Sequence, residues 1–304
     1  MDPLTLAVLR GSLEQIADEM DLHLIHAAIS PIISETNDCA NGIFHPVTGE
    51  TIAQRRFGRP VFLACMQFAV EAIIGIAGRE GGFRPGDVWI MNDPHLGGSH
   101  LQDVQLVAPC FIDGRLFALL ATTGHWMDIG GNVPGGWAPR AQEIHQEGIV
   151  IPPVKLVEQG RLDAALVSMI RANVRLPDQI VGDLFAMANV FTVGQRGLGR
   201  LVSRYGGAEV EACLAEMIAR SERQVRSHIA EIPDGRYSAE EWFDNDGIVD
   251  EPIRIALAVT VEGDGLHLDF TGTAGRTRGR STSPATPRCR PATSRSSTSC
   301  PTCR

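Results

Sequence analysis

The sequence lacks several signatures that would place it at once. It has no G-x-x-x-x-G-K-[ST] loop and no strand-linked G-x-G-x-x-G, so the chain shows no nucleotide site of its own. It has no G-x-S-x-G elbow, which argues against a serine hydrolase. No apolar run approaches the length of a bilayer-crossing helix, and Met1-Asp2-Pro3-Leu4 has neither the basic nor the apolar part of a secretory leader. Positive charge is scarce: 27 Lys and Arg against 36 Asp and Glu leave a formal net charge of −9. That balance disfavours nucleic acid or an anionic membrane surface as a main partner. Seven cysteines at irregular spacings suggest no disulfide framework. What is present is an ordinary globular composition over 304 residues, 44% hydrophobic and 21% charged, enough for a sizeable core. A cytoplasmic, enzyme-sized protein is expected.

The last stretch lacks something else. From Arg276 to Arg304 there is no Leu, Ile, Val, Phe, Trp or Tyr, so it cannot bury enough apolar surface to fold. A folded domain over 1–273 and a disordered tail over 274–304 are expected. Cys300-Pro301-Thr302-Cys303 is formally a C-x-x-C, but without a second pair it makes a poor zinc or redox site.

Before the tail, the patterns indicate an α+β protein: N-terminal helix, β-rich central core carrying the site loops, helical segment, then further strands. Apolar residues three or four apart from Pro3 to about Ala28 predict a helix, capped by Asp2 with Pro3 at its first position. Ser30 to Gln54 reads as an extended segment entering a β-hairpin, and Phe62 to Gly78 as a mostly buried helix. Short apolar runs predict strands at Val88–Met91, Val104–Ile112 and Leu116–Thr122, the last two joined by the Asp113-Gly114 turn. Ile149 to Leu156 is too proline-rich for a central strand and reads as an extended lining segment. Helices are expected over Leu162–Leu176, Asp178–Leu201 and Glu209–Ile229, the first two separated by Pro177. Strands follow at Ile253–Val261 and Leu266–Phe270 around Glu262-Gly263-Asp264-Gly265.

The chemistry concentrates between Val88 and Pro153. His100 and Asp103 stand three apart in a polar loop, and His125 follows at a later strand end. Two imidazoles and a carboxylate could hold a catalytic metal while leaving positions open for substrate. The same residues could merely satisfy turns in a glycine-rich loop. Asp128 could add a fourth ligand or orient an imidazole, and His95, His145 and Glu147 are reserve candidates. Glu35 and Asp38 are either acid/base groups or turn caps. His23 and His26, near a helix end, read as surface groups rather than ligands.

Asn92-Asp93-Pro94 followed by Gly97-Gly98-Ser99-His100-Leu101-Gln102-Asp103 resembles the N-D-P-x-x-G-G-[TS]-H-x-x-D segment of the hydantoinase B/oxoprolinase family. Similar to the same family are Ser30-Pro31-Ile32-Ile33-Ser34-Glu35 with Asp38, Asp128-Ile129-Gly130-Gly131, and Glu143-Ile144-His145-Gln146-Glu147-Gly148 with Ile151-Pro152-Pro153-Val154-Lys155. Gly182-Asp183-Leu184 and Asp269-Phe270-Thr271-Gly272-Thr273 complete the series. The resemblance implies a subunit of an ATP-dependent hydantoinase, N-methylhydantoinase or 5-oxoprolinase type of amidohydrolase acting on a cyclic amide. The alternatives are a ketone carboxylase subunit, or a non-catalytic fragment that only binds its partner. ATP would be used by a separate hydantoinase A/oxoprolinase N-terminal-type subunit with an actin-like fold.

In acetone carboxylase-type members, two His and one Asp hold manganese. Carried over, the set is His100, Asp103 and His125, with iron or zinc as alternatives. Glu35, Asp38 and Glu147 are then candidates for acid/base work, and Asp93, Asp128 and His145 for support around the metal. Two departures stand out. His145 occupies a position where an aromatic residue is expected, and family members usually continue past the D-F-T-G-T segment, so the tail reads as a frame-shifted end.

Overall fold

The computed structural model describes residues 2–55, 60–275 and 277–279. The expected disordered tail and the Cys300/Cys303 pair lie outside the described residues, apart from the tail's first few positions. The chain groups into two compact units, Met1–Ser221 and Glu222–Arg304, a division the sequence patterns do not announce.

The first unit is built on a seven-stranded antiparallel sheet. Its strands are β1 (Cys39–Phe44), β2 (Thr51–Gln54), β3 (Val88–Met91), β4 (Asp103–Ile112), β5 (Arg115–His125), β6 (Val154–Glu158) and β7 (Arg161–Leu162), in the order β2-β1-β5-β4-β3-β6-β7. Its long central hairpin closes through Asp113 and Gly114, both at positive φ, so the two-residue turn matches the strand twist. Strands β1, β4 and β5 are buried along most of their length, because helices cover both faces. That two-sided burial is why these strands read as nearly continuous apolar runs.

Helices α1 (Pro3–Ala27) and α5 (Pro177–Tyr205) cover one face and α3 (Pro60–Arg79) the other. The Asp2 carboxylate accepts from the Thr5 amide at 2.9 Å, and Leu6, Leu9, Leu13, Ile16, Met20 and Leu24 form the buried stripe of α1. Gly194 and Gly197 let α5 come close: an added Cβ would stand 2.7 Å from the Met20 sulfur and 2.8 Å from Ile16, respectively. Where α1 ends, the buried Asp183 of α5 accepts from the amides of Ile29 (2.7 Å) and Ser30 (3.1 Å). The single turn α2 (Pro31–Ser34) and helix α4 (Ala164–Asn173) complete this unit's helices, with the first part of α6 (Gly207–Ile229).

Two boundaries differ from the sequence expectation. Pro177 does not separate helices but opens α5, where its missing N–H costs nothing; Leu162 belongs to β7 instead of a helix. The segment after Pro152-Pro153 is a strand, β6, paired with β3. Both prolines precede the ladder, so neither removes one of its hydrogen bonds.

The second unit holds a three-stranded antiparallel sheet, β10-β9-β8, from β8 (Gly235–Phe243), β9 (Ile253–Glu262) and β10 (Gly265–Asp269). Here β8 extends well beyond the Arg236–Glu240 stretch that follows the expected turn. The loop after β8 is pinned by Asp246, whose carboxylate accepts from the amides of Ile248, Val249, Arg278 and Gly279. These bonds draw its carboxyl down to about 2 against the opposing effect of burial. Among the described residues no helix is long and apolar enough to cross a membrane.

Candidate functional site

The register of the central hairpin places Asp103 directly opposite His125, so residues 22 positions apart meet at the open end of β4 and β5. His125 Nδ1 and Asp103 Oδ1 are 2.7 Å apart, and both residues are buried. The other carboxylate oxygen of Asp103 accepts from the Ser99 hydroxyl and from the His100 amide, the latter at 3.2 Å. Burial pushes the Asp103 carboxyl up. The bonds from His125 and Ser99, with the charges of His125 and His100, outweigh burial and hold it below the usual carboxylate range. With Nδ1 engaged, Nε2 of His125 is the nitrogen left for chemistry.

His100 is exposed, with its ring centre 6.4 Å from that of His125 and nearly perpendicular to it. Among the described residues, no three His, Cys, Asp or Glu side chains are gathered closely enough to hold a metal. The donor types of His100, Asp103 and His125 suit a hard divalent ion, while the 2.7 Å between Asp103 and His125 is a hydrogen bond. The His100 side chain is the one that must turn to join them.

The floor beside this pair is polar where the rest of the sheet face is apolar. Gln105 and Thr123 lie opposite one another two residues further along, both buried, and the Thr123 hydroxyl has no hydrogen-bond partner. Above lies α3, whose Cys65 thiol is pushed up first by burial and then by the Asp103 charge. Sequence reasoning does not single out these three residues. The available signal is polar residues interrupting apolar strands.

The remaining candidates are placed as follows. The Asp93 carboxylate accepts from the His95 amide at 2.9 Å and so caps the short 3-10 turn over Pro94–Leu96. The Asp128 carboxylate meets no imidazole; it accepts from the Arg175 amide at 2.7 Å, the Arg175 guanidinium at 3.0 Å and the amides of Gly130 and Gly135. Burial would raise its carboxyl, yet these donors hold it low. Arg175, missed in the sequence, also donates to the carbonyls of Gly130, Gly131 and Val133 and ties down the glycine loop. Glu35 is exposed, and Asp38 reaches the site through its carbonyl, which accepts from the His125 amide at 3.0 Å. His145 is exposed and Glu147 half-buried, both at the short turn over Ile144–Gln146.

Asn92 holds the loops together. Its buried carboxamide donates to the carbonyls of Leu101 and Ile149 and accepts from the Ile151 amide. Trp137, 64% exposed, has its ring centre 5.8 Å from the His100 ring.

Comparison with known proteins gives this geometry a setting. The family model Hydantoinase B/oxoprolinase matches residues 2–293. The beta chain of the caprolactamase of Pseudomonas jessenii is 35% identical over 268 residues, covering 88% of this chain and 45% of the relative. The B-type chain of a putative D-/L-hydantoinase of Pseudomonas sp. (strain NS671) is 31% identical over 280 residues, covering 90% and 47%. Among solved structures, the ATP-dependent caprolactamase of Pseudomonas jessenii superposes with a TM-score of 0.81 at 35% identity, over 88% of this chain and 46% of that one. A nucleotide-free acetone carboxylase superposes equally well, TM-score 0.81, over 90% and 38% at 17% identity, which speaks for the fold alone. The chain spans about half the length of such curated relatives, 45% to 48% for three of them.

Proposed function

The chain belongs to the hydantoinase B/oxoprolinase family, and from that premise we propose that it is a subunit of an ATP-dependent hydrolase of cyclic amides. The observation that carries the proposal is the buried Asp103–His125 pair, register-matched at the end of the central hairpin. A cyclic amide resists water because resonance keeps its carbonyl carbon poorly electrophilic. This chain shows no phosphate loop, so activation by ATP falls to an A-type partner subunit, as the names of the subunit-type relatives suggest.

Within this chain, Asp103 engages Nδ1 of His125 and so leaves Nε2 for proton transfer. Nε2 takes a proton from water as that water adds to the carbonyl carbon, and returns it to the departing ring nitrogen. His100, Asp103 and His125 would also be the residues to hold a divalent ion such as manganese, iron or zinc, which when bound supplies Lewis-acid polarisation of the carbonyl oxygen. Glu35, Asp38 and Glu147 are the carboxylates that would supply a second acid/base group beside the pair.

The test is to mix the purified chain with an A-type ATPase subunit and follow ring opening of cyclic amides. Opening that needs ATP and both chains is expected; carboxylation of a ketone by the same mixture, with no amide opened, would overturn the reading. Metal content is measured separately, on the folded wild type beside His100→Ala. Near-stoichiometric manganese, iron or zinc, lost in the variant, is expected; a folded, metal-free wild type would remove the metal from the site.

A further inference from the structure

The sheet face under α3 changes character next to Asp103 and His125. Further along it, Met91, Val107, Leu119 and Ala121 pack with α3 residues in one apolar cluster. Between that cluster and the reacting pair stand Gln105 and Thr123, opposite one another in the hairpin and 2% and 0% exposed. His125, at 8%, is more exposed than either, so the polar row is entered from the reacting pair.

Neither side chain has its polar groups satisfied within the fold. Among the described residues the Thr123 hydroxyl has no hydrogen-bond partner. A buried hydroxyl in that state is destabilising, and valine would fill the same space without the penalty. The Gln105 carboxamide makes one long bond, Nε2 donating to the Gly97 carbonyl at 3.4 Å. A carboxamide can donate and accept twice over, so most of its capacity is unused. The loop residue that meets it is a glycine, which adds no side chain there. Buried polar groups left over beside a reacting pair have the make-up of substrate contacts.

We propose that Gln105 and Thr123 bind the amide group of the substrate ring and require its nitrogen to carry hydrogen. The inference rests on the cyclic-amide reading above. A small ring holds its amide cis, with N–H and C=O on one edge, whereas an open-chain secondary amide is almost always trans. The Gln105 carboxamide also has both groups on one edge: its oxygen accepts from the ring N–H while Nε2 donates to the ring carbonyl. The Thr123 hydroxyl donates to the other lone pair of that carbonyl oxygen. Such bonds lie near the amide plane and leave its faces, from which water adds, to His125. An N-alkylated ring has no hydrogen to give Gln105 and sets an alkyl group against its oxygen.

The experiment uses the full chain with its A-type partner and ATP, caprolactam as the probe and N-methylcaprolactam as competitor. In the wild type the inhibition constant of the competitor is expected to exceed the KM of caprolactam by about tenfold or more. Gln105→Met, which keeps the length of the side chain, should bring the two constants within about threefold of each other. A purely structural defect would raise both alike. Thr123→Val should raise the KM of caprolactam by about tenfold, more than it lowers kcat, while its thermal midpoint stays level or rises. Thr123→Ser, which restores the hydroxyl, should return most of the affinity. A wild type that binds both lactams alike, or Gln105→Met with the wild-type ratio, overturns the proposal. So does Thr123→Val with a lowered midpoint and an unchanged KM. Each of these results leaves the cyclic-amide reading standing, whereas a wild type that opens no caprolactam overturns both.

Discussion

Asn92 shows how much one buried carboxamide can organise. It satisfies two carbonyls and one amide from separate stretches of chain, with both amide hydrogens and the oxygen in use. Asn92→Ala leaves those three groups buried and unpaired, each costing about 1–3 kcal/mol. A loss of roughly 3 kcal/mol or more is expected in the urea unfolding free energy; a loss below about 1 kcal/mol would mean that water replaces the clamp. On the opposite face of the sheet, the buried carboxyl of Asp21 is pushed up to about 7 by burial despite its hydrogen bond from Asn41 and the charge of Arg55. In the unfolded chain it titrates near 4, about its ordinary value. The folded form therefore holds the proton more tightly, and stability falls as pH rises between roughly 4 and 7, then levels off. The full effect is on the order of 4 kcal/mol. Asp21→Asn should flatten the pH dependence of the urea midpoint over that range, and identical slopes in both proteins would contradict the assignment. Residues of this kind are only partly legible in a sequence. His100, Asp103 and His125 stand out by type and spacing, whereas Asp21 looks like one more polar position on an amphipathic helix. Its burial depends on which strand residue it meets, here Asn41, and one sequence does not state that pairing.

At the scale of elements, the hairpin of β4 and β5 is the most legible part, because Asp113-Gly114 marks its turn. The turn alone would set Asp103 against Gly124; a one-residue bulge between Cys110 and Phe111, which the sequence does not announce, shifts the register and brings Asp103 to His125. The glycine loop at 130–135 is readable as a loop, but its anchor is not, since Arg175 lies 45 residues from Gly130. Arg175 holds three carbonyls and one carboxylate with a planar fork that a lysine cannot reproduce. Arg175→Lys should therefore loosen the loop without unfolding the sheet. Amide exchange at Gly130 and Gly135 should quicken by about tenfold or more, while exchange in β4 and β5 stays unchanged. Equal protection of the loop in both proteins would show that Asp128 alone secures it. Strand β6 escapes sequence reasoning for an ordinary cause. Two prolines at its entry mimic a segment that cannot pair, yet pairing begins with the next residue, Val154.

At the scale of the whole molecule, the α+β class and the order of elements follow from periodicity, and family membership from a run of motifs spread over most of the chain. The split after Ser221 has no sequence signal, because it falls inside a continuous amphipathic helix and not in a linker. The chain corresponds to about half of its curated relatives' length, and the test of turnover supplies the proposed A-type partner. The most direct measurement is ATP-dependent opening of a neutral lactam by that mixture, wild type beside His125→Ala, with folding of both checked by circular dichroism. Expected is turnover by the wild type that requires ATP and both chains, and a fall of about 100-fold or more in the folded variant. Ring opening by His125→Ala at the wild-type rate would contradict the assignment of the Asp103–His125 pair as the reacting centre.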